Sequence, residues 1–377
     1  MTNTVCLCAE TLYYPEGGGH LWVYLNWALG LQSNNCRVIW LEPVGSDTPA
    51  DEVQEKLSVL KRNLKPTGLD DHIALISWTD EPLAADATRG CLDIDEAMSA
   101  DLLVNIQKDL TPRTVKEFRR SVFLDIDPGL LQLWVSKGQV KLAPHDFYFT
   151  IGETVGRQDA GFPDLGLEWF YTPPCVALDW WPAIRSSHES PFTTVVHWYA
   201  NGWMDDTLVD DKRSGFLPYL DLPKMVTQPL ELATDLGPDA DEWVATEKAT
   251  LQRQGWRLQK PSVVASNPWN YRQYIQTSRG EFSCAKPACI RLQNAWISDR
   301  TICYLASGKP AVVEHTGASR FLPDAGGLFR FRNKPEAVRH IETVAMDYER
   351  QCNLARSLAE EYFDARRVAE AMLERVL

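Results

Sequence analysis

Short apolar segments alternate with amphipathic ones along most of this chain, and no other sequence feature restricts the possible folds as strongly. The segment TVCLCA indicates a buried strand, HLWVYLNWALGLQ a helix, and RVIWLEP the next strand. Strands that are apolar along their whole length, and are separated by helices, are typical of parallel sheets covered by helices on both faces. The sequence therefore predicts an α/β fold.

The predicted strands fall into two series. The first continues through HIALISW, DLLVNIQ, SVFLDID and DFYFTIG, and the second comprises FTTVVHWY, YRQYIQTSR, KPAVVEH and GLFRF. Between them lies TPPCVALDWWPAIRSSHESP, whose proline and serine content predicts a linker near residues 173–190. From Pro335 to the end, apolar residues recur at helical spacing, which predicts two or three helices.

A chain of 377 residues exceeds one ordinary core, because domains usually contain about 100–200 residues. We expect a Rossmann-like domain over 1–178 and a second one over 190–358. A C-terminal helix within 359–377 is expected to pack back on the first domain.

Composition restricts the partners. The formal net charge of −13 argues against broad, charge-driven binding to nucleic acid or to an anionic membrane. Nine cysteines occur without paired spacing and mostly in apolar segments, which indicates buried thiols. No apolar run approaches the roughly 20 residues that cross a bilayer, and the start of the sequence has no basic region before an apolar stretch. We expect a cytoplasmic protein with no membrane partner.

A glycine-rich loop, YYPEGGGH, follows the first predicted strand. Gly17–Gly19 let the backbone approach a ligand, and His20 then lies near the carboxyl edge of the sheet, where α/β proteins bind ligands. A dinucleotide fingerprint needs another glycine near Trp22, where the indole blocks close contact. That departure disfavours an oxidoreductase, although Glu42 ends the second strand where a ribose-binding acid would lie.

Two later segments of the first half carry acidic residues or histidine. Asp125 and Asp127 end a predicted strand, and this spacing fits either a metal-bound diphosphate or an ordinary strand-end turn. We expect no metal, with Asp127 facing the same cleft as His20 and orienting a substrate bound there. His145 and Asp146 are adjacent and therefore point apart, so we expect them to position loops separately.

In the second half, FTTVVHWY ends in an aromatic residue, Tyr199, which suits a base or a sugar, and the segment after it supplies a cation, Lys212, which suits a phosphate. The segment SRGEFSCAK supplies Ser278, Arg279, Glu281 and Lys286, with the first two predicted at a strand end and Glu281 in a loop.

The segment SDRT begins a predicted helix at residues 298–301. Ser298 and Asp299 suit the cap and the first turn of a helix. The same start, with Arg300 and Thr301, also suits a bound phosphate, because uncovered helix N-termini bind anions. The segment alone leaves both interpretations open.

The segments SRGEFSCAK, WISDRTICYLASGKPAVV and EHTG resemble the nucleotide-sugar-binding domain of GT-B glycosyltransferases. In that domain a strand–loop segment with Ser and Glu precedes a helix ending A-x-G-x-P-V-V. The EGGGH loop fits the acceptor side of the same fold, and DIDPG and HDFYFTIGE resemble a group of bacterial GT-B-like transferases. The resemblance implies two facing Rossmann-like domains with a C-terminal helical tail.

The sequence departs from one family pattern. Retaining members with a Glu-x7-Glu pair carry a second glutamate where this chain has Cys289, and Cys303 stands at the usual glutamate position before LASG. Asp299, one turn before Cys303, is the carboxylate available to replace it.

The resemblance implies transfer of a sugar from a nucleoside diphosphate donor, a UDP-sugar, to a hydroxyl acceptor of unspecified class, with no metal or other cofactor. His20 is then the candidate base, which implies inversion at the anomeric carbon; a retaining course stays open if His20 only binds the acceptor. Asp127, expected to orient the acceptor, is the second candidate catalytic residue. The residues expected to bind the donor are Gly18, Gly19, Tyr199, Lys212, Ser278, Arg279, Glu281, Lys286, Ser298, Asp299, Arg300 and Thr301.

Three alternatives remain open at this point. A phage-type glycosyltransferase would act on hydroxylated DNA bases, which the acidic balance disfavours although fourteen tryptophans could stack on bases. An NAD-dependent oxidoreductase would require the missing glycine. A non-catalytic sugar-nucleotide-binding protein would bind a donor without transfer.

Overall fold

The computed structural model describes residues 2–199, 203–205, 208–209, 211–238, 240–323 and 326–377. The chain divides into two compact α/β units, each with its own sheet and core. Unit 1 comprises Met1–Ala177 and Asp364–Leu377, and unit 2 comprises Leu178–Phe363. The predicted α/β fold class, with its C-terminal helices, is confirmed.

Unit 1 is built on a seven-stranded sheet in which every neighbouring pair is parallel, with order β3-β2-β1-β4-β5-β6-β7. Because all the strands run the same way, the loops that follow them gather at one edge. The strands are β1 (Thr4–Cys8), β2 (Arg37–Val44), β3 (Ile73–Ser77), β4 (Leu102–Asn105), β5 (Ser121–Asp125), β6 (Phe147–Thr150) and β7 (Trp169–Tyr171).

The helices that follow the strands of unit 1 in the sequence are α1 (Gly18–Ser33), α2 (Ala50–Leu64), α3 (Ile94–Met98), α4 (Pro112–Glu117) and α5 (Leu130–Ser136). The first helix is apolar around most of its circumference, as its buried residues from Leu21 to Leu31 show. A helix of that kind needs cover on more than one side.

Part of that cover comes from the last helix of the chain, which lies in unit 1. The Val176 carbonyl accepts a hydrogen bond from the Ala365 amide at 3.0 Å. At Gly30 of α1, an added Cβ would lie 2.5 Å from the Ala365 carbonyl oxygen. Only glycine therefore permits this approach of the first helix to the last.

Unit 2 contains a six-stranded parallel sheet with order β12-β11-β8-β13-β14-β15 and a small antiparallel pair, β9 with β10. Its strands are β8 (Phe192–His197), β9 (Trp203–Asp205), β10 (Leu208–Val209), β11 (Leu230–Asp235), β12 (Arg257–Gln259), β13 (Gly280–Ser283), β14 (Ala311–Glu314) and β15 (Leu328–Phe331). The outer strand β12 is short, and β8 and β13 occupy the middle of the sheet.

The helices of the second half are α6 (Lys212–Phe216), α7 (Glu242–Arg253), α8 (Pro261–Val264), α9 (Pro268–Thr277), α10 (Pro287–Leu292), α11 (Asp299–Ala306), α12 (Lys334–Met346) and α13 (Tyr348–Tyr362), and the final helix is α14 (Ala365–Val376). Three helices thus follow Pro335 or include it, as expected.

One predicted strand is wrong. The segment YRQYIQTSR lies mostly in α9, because Asn267 caps a helix there by accepting from the Trp269 and Asn270 amides. Pro268 occupies the first turn, where its missing N–H costs nothing. Tyr271 and Ile275, four residues apart, form the buried face. Strand β11 was not predicted either, because its segment LELATD has acidic residues among its apolar ones.

The boundary between the two units, at Ala177 and Leu178, lies within the predicted linker, but residues 178–190 belong to unit 2. Arg272 donates to the Trp180 carbonyl at 3.0 Å and Arg356 to the Trp181 carbonyl at 2.7 Å. The Trp181 side chain is fully buried. Proline and serine here mark an irregular segment that is fixed to the unit by side-chain donors.

Within the described ranges, no helix combines the length and the apolar character needed to cross a membrane.

The contact at Gly30 gives a stability prediction. Gly30→Ala should lower the free energy of unfolding, because overpacking costs about 1–3 kcal/mol and exceeds the ~1 kcal/mol that alanine normally gains over glycine in a helix. Urea unfolding measures the difference. Gly161→Ala is the control, since an added Cβ there meets no atom within 4 Å. Equal or higher stability for Gly30→Ala would contradict the close approach.

Candidate functional site

The carboxyl end of β13 is in direct backbone contact with α6. An added Cβ at Gly215 would lie 2.0 Å from the Ala285 carbonyl oxygen, so glycine is required for this contact. The helix is capped by Asp211, whose Oδ1 accepts from the Ser214 amide at 2.7 Å. In consequence Lys212, the first residue of α6, places its Nζ 2.7 Å from the Cys284 carbonyl oxygen.

Lys212 is a buried cation, with 8% of its surface exposed. Burial lowers its pKa to about 8, and the charges of Arg300 and Lys286 contribute to the lowering. Two like charges that depress the pKa of a third indicate local positive potential. An anion bound beside Lys212 would relieve that repulsion.

Three hydrogen bonds fix the orientation of the Arg300 side chain. Its Nε donates to Glu281 Oε1 at 2.7 Å, its Nη2 to Ser283 Oγ at 2.7 Å and its Nη1 to the Val195 carbonyl at 3.2 Å. These contacts use three of the five N–H groups of the guanidinium. The side chain is thus fixed in orientation and keeps further donors.

The helix that carries Arg300 begins at the same place. Ser298 caps α11, with its Oγ accepting from the Arg300 amide at 3.2 Å. The segment before α11 is fixed to the end of β14, since the Ala295 amide donates to the Thr316 carbonyl at 3.0 Å. An added Cβ at Gly317 would lie 2.7 Å from the Gln293 carbonyl oxygen, so Gly317 permits this approach.

These elements form one pocket at the carboxyl edge of the unit 2 sheet. It contains four of the residues predicted to bind a donor, and adds others that the sequence analysis did not identify, chiefly Ser283, Glu314 and Thr316. The lining residues are Lys212, Ser283, Cys284, Ala285, Trp296, Ile297, Ser298, Arg300, Thr301, Val313, Glu314 and Thr316.

Glu314 is the acidic residue of this pocket. It accepts from the Ala285 amide at 2.9 Å and from the Tyr219 hydroxyl at 3.0 Å. Burial raises the pKa of its carboxyl group, against the effects of these two hydrogen bonds and of Lys212. Its place after a run of apolar strand residues, AVVE, was the available sequence signal, because residues at the carboxyl ends of parallel strands face the ligand edge.

Ser278 and Arg279 are not in this pocket, contrary to expectation. They precede β13 instead of ending a strand, and lie five or more residues before Cys284, roughly 16 Å away along an extended chain. The Ser278 hydroxyl is 2.6 Å from Thr193 Oγ1, and the Arg279 guanidinium lies 3.4 Å from the centroid of the Tyr348 ring. Both contacts are at the amino edge of the sheet.

Glu281 also differs from its prediction. It lies within β13, fully buried, and not in a loop. Its Oε1 accepts from Arg300, while its Oε2 has no hydrogen-bond partner. A carboxylate in that position holds Arg300 and is not exposed to sugar hydroxyl groups.

The remaining predicted donor residues of unit 2 lie around the pocket or apart from it. Lys286 precedes α10 and is close enough to lower the pKa of Lys212. Asp299 is in the first turn of α11. Tyr199 lines a different, open pocket, where its ring centroid is 5.3 Å from that of Trp243.

In unit 1, His20 lies in the first turn of α1. Its Nε2 is 2.6 Å from the Glu10 carbonyl oxygen. A carbonyl oxygen only accepts, so Nε2 carries the proton and Nδ1 of the neutral ring is left as the proton acceptor. The imidazole also packs edge-on against Tyr24, with centroids 5.2 Å apart.

The three glycines before His20 have different structural environments. Gly17 is in contact with the Tyr14 ring, because an added Cβ would lie 2.2 Å from its Cε1. Gly18 and Gly19 are the first two residues of α1, with Gly18 buried. The Tyr14 ring that covers Gly17 is itself 40% exposed.

Asp127 and Asp125 have separate roles. Asp127 is exposed, and its charge acts on Tyr24, which also contacts His20. Asp125 is buried and accepts from the Asp127 amide, Gln132 and Thr150, each at 2.9 Å. Burial raises its pKa to about 7. Asp125 therefore fixes the turn after β5.

His145 and Asp146 position separate loops, as expected. The His145 ring donates from Nδ1 to the Ala143 carbonyl and accepts at Nε2 from Asn105. Burial lowers its pKa to about 4. Asp146 instead accepts from the amide and the hydroxyl of Ser121.

Glu42 is unavailable to a ribose. It is 1% exposed, and its Oε2 accepts from the Thr11 and Leu12 amides at 2.8 and 3.0 Å. Its Oε1 accepts from Trp40 Nε1 at 2.7 Å and from the Thr11 hydroxyl. This occupancy removes the acidic residue that a dinucleotide site would use.

Among the residues whose placement is described, no group of three or more His, Cys, Asp or Glu side chains has the arrangement of a metal site.

No protein-family model and no curated protein matches the sequence. Solved structures match along the whole chain. An alpha-glucosyltransferase (AGT) in complex with UDP has a TM-score of 0.63 at 10% identity, over 100% of this chain and 99% of that one. An alpha-glucosyltransferase in complex with UDP and a 13-mer DNA containing an HMU base has a TM-score of 0.63 at 10% identity, over 99% of both chains.

A second protein, Anabaena Alr3699/HepE in complex with UDP and glucose, has a TM-score of 0.56 at 12% identity, over 99% of both chains. These similarities show that the chain shares the two-domain GT-B fold, as its segments had implied.

The buried pair of Glu281 and Arg300 gives a stability prediction. Glu281→Ala should lower the free energy of unfolding by about 3–5 kcal/mol, because it leaves the guanidinium buried without its counter-charge. Urea unfolding measures this loss. The control is Asp86→Ala, which breaks the exposed pair with Arg89 and should cost less than about 1 kcal/mol. Similar losses for both variants would contradict the role of Glu281.

Proposed function

We propose that this protein transfers a sugar from a nucleoside diphosphate donor, a UDP-sugar, to a hydroxyl group of an uncharged acceptor, without a metal ion. The observation that carries the proposal is the buried Lys212 at the carboxyl edge of the unit 2 sheet, beside Arg300 and the N-terminus of α11. The fold shared with an alpha-glucosyltransferase that binds UDP-glucose, and with HepE, which binds UDP and glucose, gives independent support.

The donor diphosphate rests beside Lys212, Arg300 and the first turn of α11, with Lys286 adding positive charge nearby. As the bond from the anomeric carbon to the diphosphate breaks, negative charge develops on the leaving oxygen. Fixed donors that already point at that charge lower the barrier, since they need no reorganisation. Ser298 and Thr301 line this part of the pocket, and Asp299 is the candidate for hydroxyl groups of the donor.

The acceptor step belongs to unit 1. His20 Nδ1 takes the proton of the acceptor hydroxyl while the hydroxyl oxygen forms a bond to the anomeric carbon, which implies inversion. Asp127 orients the acceptor from the turn after β5. Gly18 and Gly19 were predicted to contact the donor; in this proposal their backbone lies next to the acceptor, because they begin α1 beside His20.

The charges near His20 favour an uncharged acceptor over DNA. The loop before His20 carries Glu10 and Glu16, both exposed. Burial, together with the charges of Glu10, Glu42 and Asp127, raises the pKa of Tyr24 beside His20. Binding of a polyanion depends on Lys and Arg contacts to phosphates. The exposed Tyr14 ring suits the apolar face of a sugar ring instead.

The pKa of Lys212 gives a test of the donor site. UDP affinity should fall about tenfold from pH 7 to pH 9, because the charged fraction of a lysine with pKa about 8 falls from about nine-tenths to one-tenth. The terminal phosphate, with a pKa near 6, stays ionised throughout. Isothermal titration at both pH values measures the change.

Lys212→Arg is the matched control, since guanidinium keeps its charge over this range and should give the same affinity at both pH values. No measurable UDP binding, or an affinity of the wild-type protein that does not change with pH, would refute the assignment of Lys212. Adenosine and guanosine diphosphates in the same titration test the choice of uracil.

The base is tested separately. His20→Gln should lower turnover by about 10²–10⁴-fold, the usual contribution of a general base, and leave UDP affinity within about twofold. Release of UDP from UDP-glucose and other UDP-sugars, with neutral oligosaccharides as acceptors and EDTA present, measures turnover. Near-normal turnover would remove His20 from the reaction and leave Asp127 as the remaining candidate.

The other outcomes of this assay separate the alternatives. Donor binding without UDP release would indicate a non-catalytic binding protein. Transfer to hydroxymethylated duplex DNA but to no neutral saccharide would indicate the DNA-directed enzyme. Loss of transfer in EDTA that Mg²⁺ restores would contradict the metal-independent part of the proposal.

A further inference from the structure

The contact between His20 and the loop before it passes through a single peptide group. The carbonyl of Glu10, which accepts from His20 Nε2, and the amide N–H of Thr11, which donates to Glu42 Oε2, belong to the same peptide bond. A trans peptide is planar, and its C=O and N–H point in opposite directions. His20 and Glu42 are therefore hydrogen-bonded to opposite edges of one rigid peptide group.

Glu42 holds this plane with several bonds. Thr11 donates to it through both its amide and its hydroxyl, and the Leu12 amide donates at 3.0 Å. On the other side of Glu10, the Ala9 amide donates to the Leu41 carbonyl at 2.9 Å. Glu10 itself is exposed, yet its carbonyl is fixed by bonds to the residues before and after it.

A second route joins Glu42 to the same histidine. Trp40 donates to Glu42 Oε1 and packs edge-on against Tyr24, with ring centroids 6.3 Å apart. Tyr24 in turn packs edge-on against His20. The carboxylate thus fixes one ring neighbour of the imidazole as well as its hydrogen-bond partner.

We infer that Glu42 is a positioning residue, which keeps the proton of His20 on Nε2 and leaves Nδ1 free to accept one, by fixing the Glu10–Thr11 peptide. The inference rests on the proposed function, in which His20 is the base. A base held in the wrong tautomer presents an N–H where it must accept a proton. An anion that accepts from the N–H of a peptide also makes its C=O a stronger acceptor.

The test is the tautomer of His20, read from the ¹⁵N signals of its ring above the pH at which it protonates. The protein has seven histidines, and the spectrum of His20→Gln assigns the signals. We expect wild-type His20 to carry its proton on Nε2 alone. In Glu42→Gln we expect both tautomers to be populated, because the neutral amide cannot accept from all four donors.

Turnover supplies the second readout. Glu42→Gln should lower kcat by about tenfold or more, a part of the contribution of a general base, with UDP affinity within about twofold. Val38→Ala, a cavity variant in the same strand, is the control for lost stability and should leave the tautomer unchanged.

Three results would overturn the inference: a wild-type proton on Nδ1, a single Nε2–H tautomer in folded Glu42→Gln, or the same mixture of tautomers in Val38→Ala. If Glu42→Gln does not fold, a proton on Nδ1 of the wild-type ring still overturns the inference. Normal turnover of His20→Gln would refute the proposed role of His20 as the base. The tautomer measurement does not depend on turnover, so a failure of the proposed function and a failure of this inference are distinguishable.

Discussion

Parallel pairing in both large sheets is the constraint on which the rest of this structure depends. Because neighbouring strands all run the same way, each sheet has one edge where the carboxyl ends of its strands meet. In unit 1 this edge carries the loop to His20 and the turn with Asp127, and in unit 2 it carries the end of β13 and the end of β14. Residues distant in sequence are brought together there without any long connection across the sheet.

Close backbone approaches then complete each edge. Gly215 lets α6 contact the backbone of Ala285, and Gly317 lets the end of β14 contact the segment before α11. Because these two glycines have no side chains, the backbone segments can approach closely, and Lys212 and the N-terminus of α11 line the same pocket. The energetic cost of placing cations there is visible in the lowered pKa of Lys212. The charge of Arg300 is compensated, because its guanidinium is hydrogen-bonded to the carboxylate of Glu281.

The alternation of apolar and amphipathic segments was sufficient to predict the α/β class, most strands and the helix start at Ser298. The position of Ser278 and Arg279 was wrong for one reason: the segment before them was assigned to a strand, whereas α9 occupies it. A helix there places these two residues just before β13, and so moves them from one edge of the sheet to the other. The N-cap at Asn267, followed by Pro268 in the first turn, is the sequence signal that starts this helix. The roles of Glu42 and Glu281 depend on contacts between distant segments, which spacing along the chain cannot reveal.

Unit 1 is assembled from two separate stretches of chain, and α14 contributes to it only after all of unit 2. During synthesis, Leu178–Phe363 must leave the ribosome before Ala365 can meet Val176 and Gly30. Domains generally fold as units in the order of their synthesis, so the first sheet must wait with one side of its first helix uncovered while the second unit forms. Apolar helix surface exposed for that interval is a target for chaperones, and the rate of elongation through unit 2 sets how long the exposure lasts.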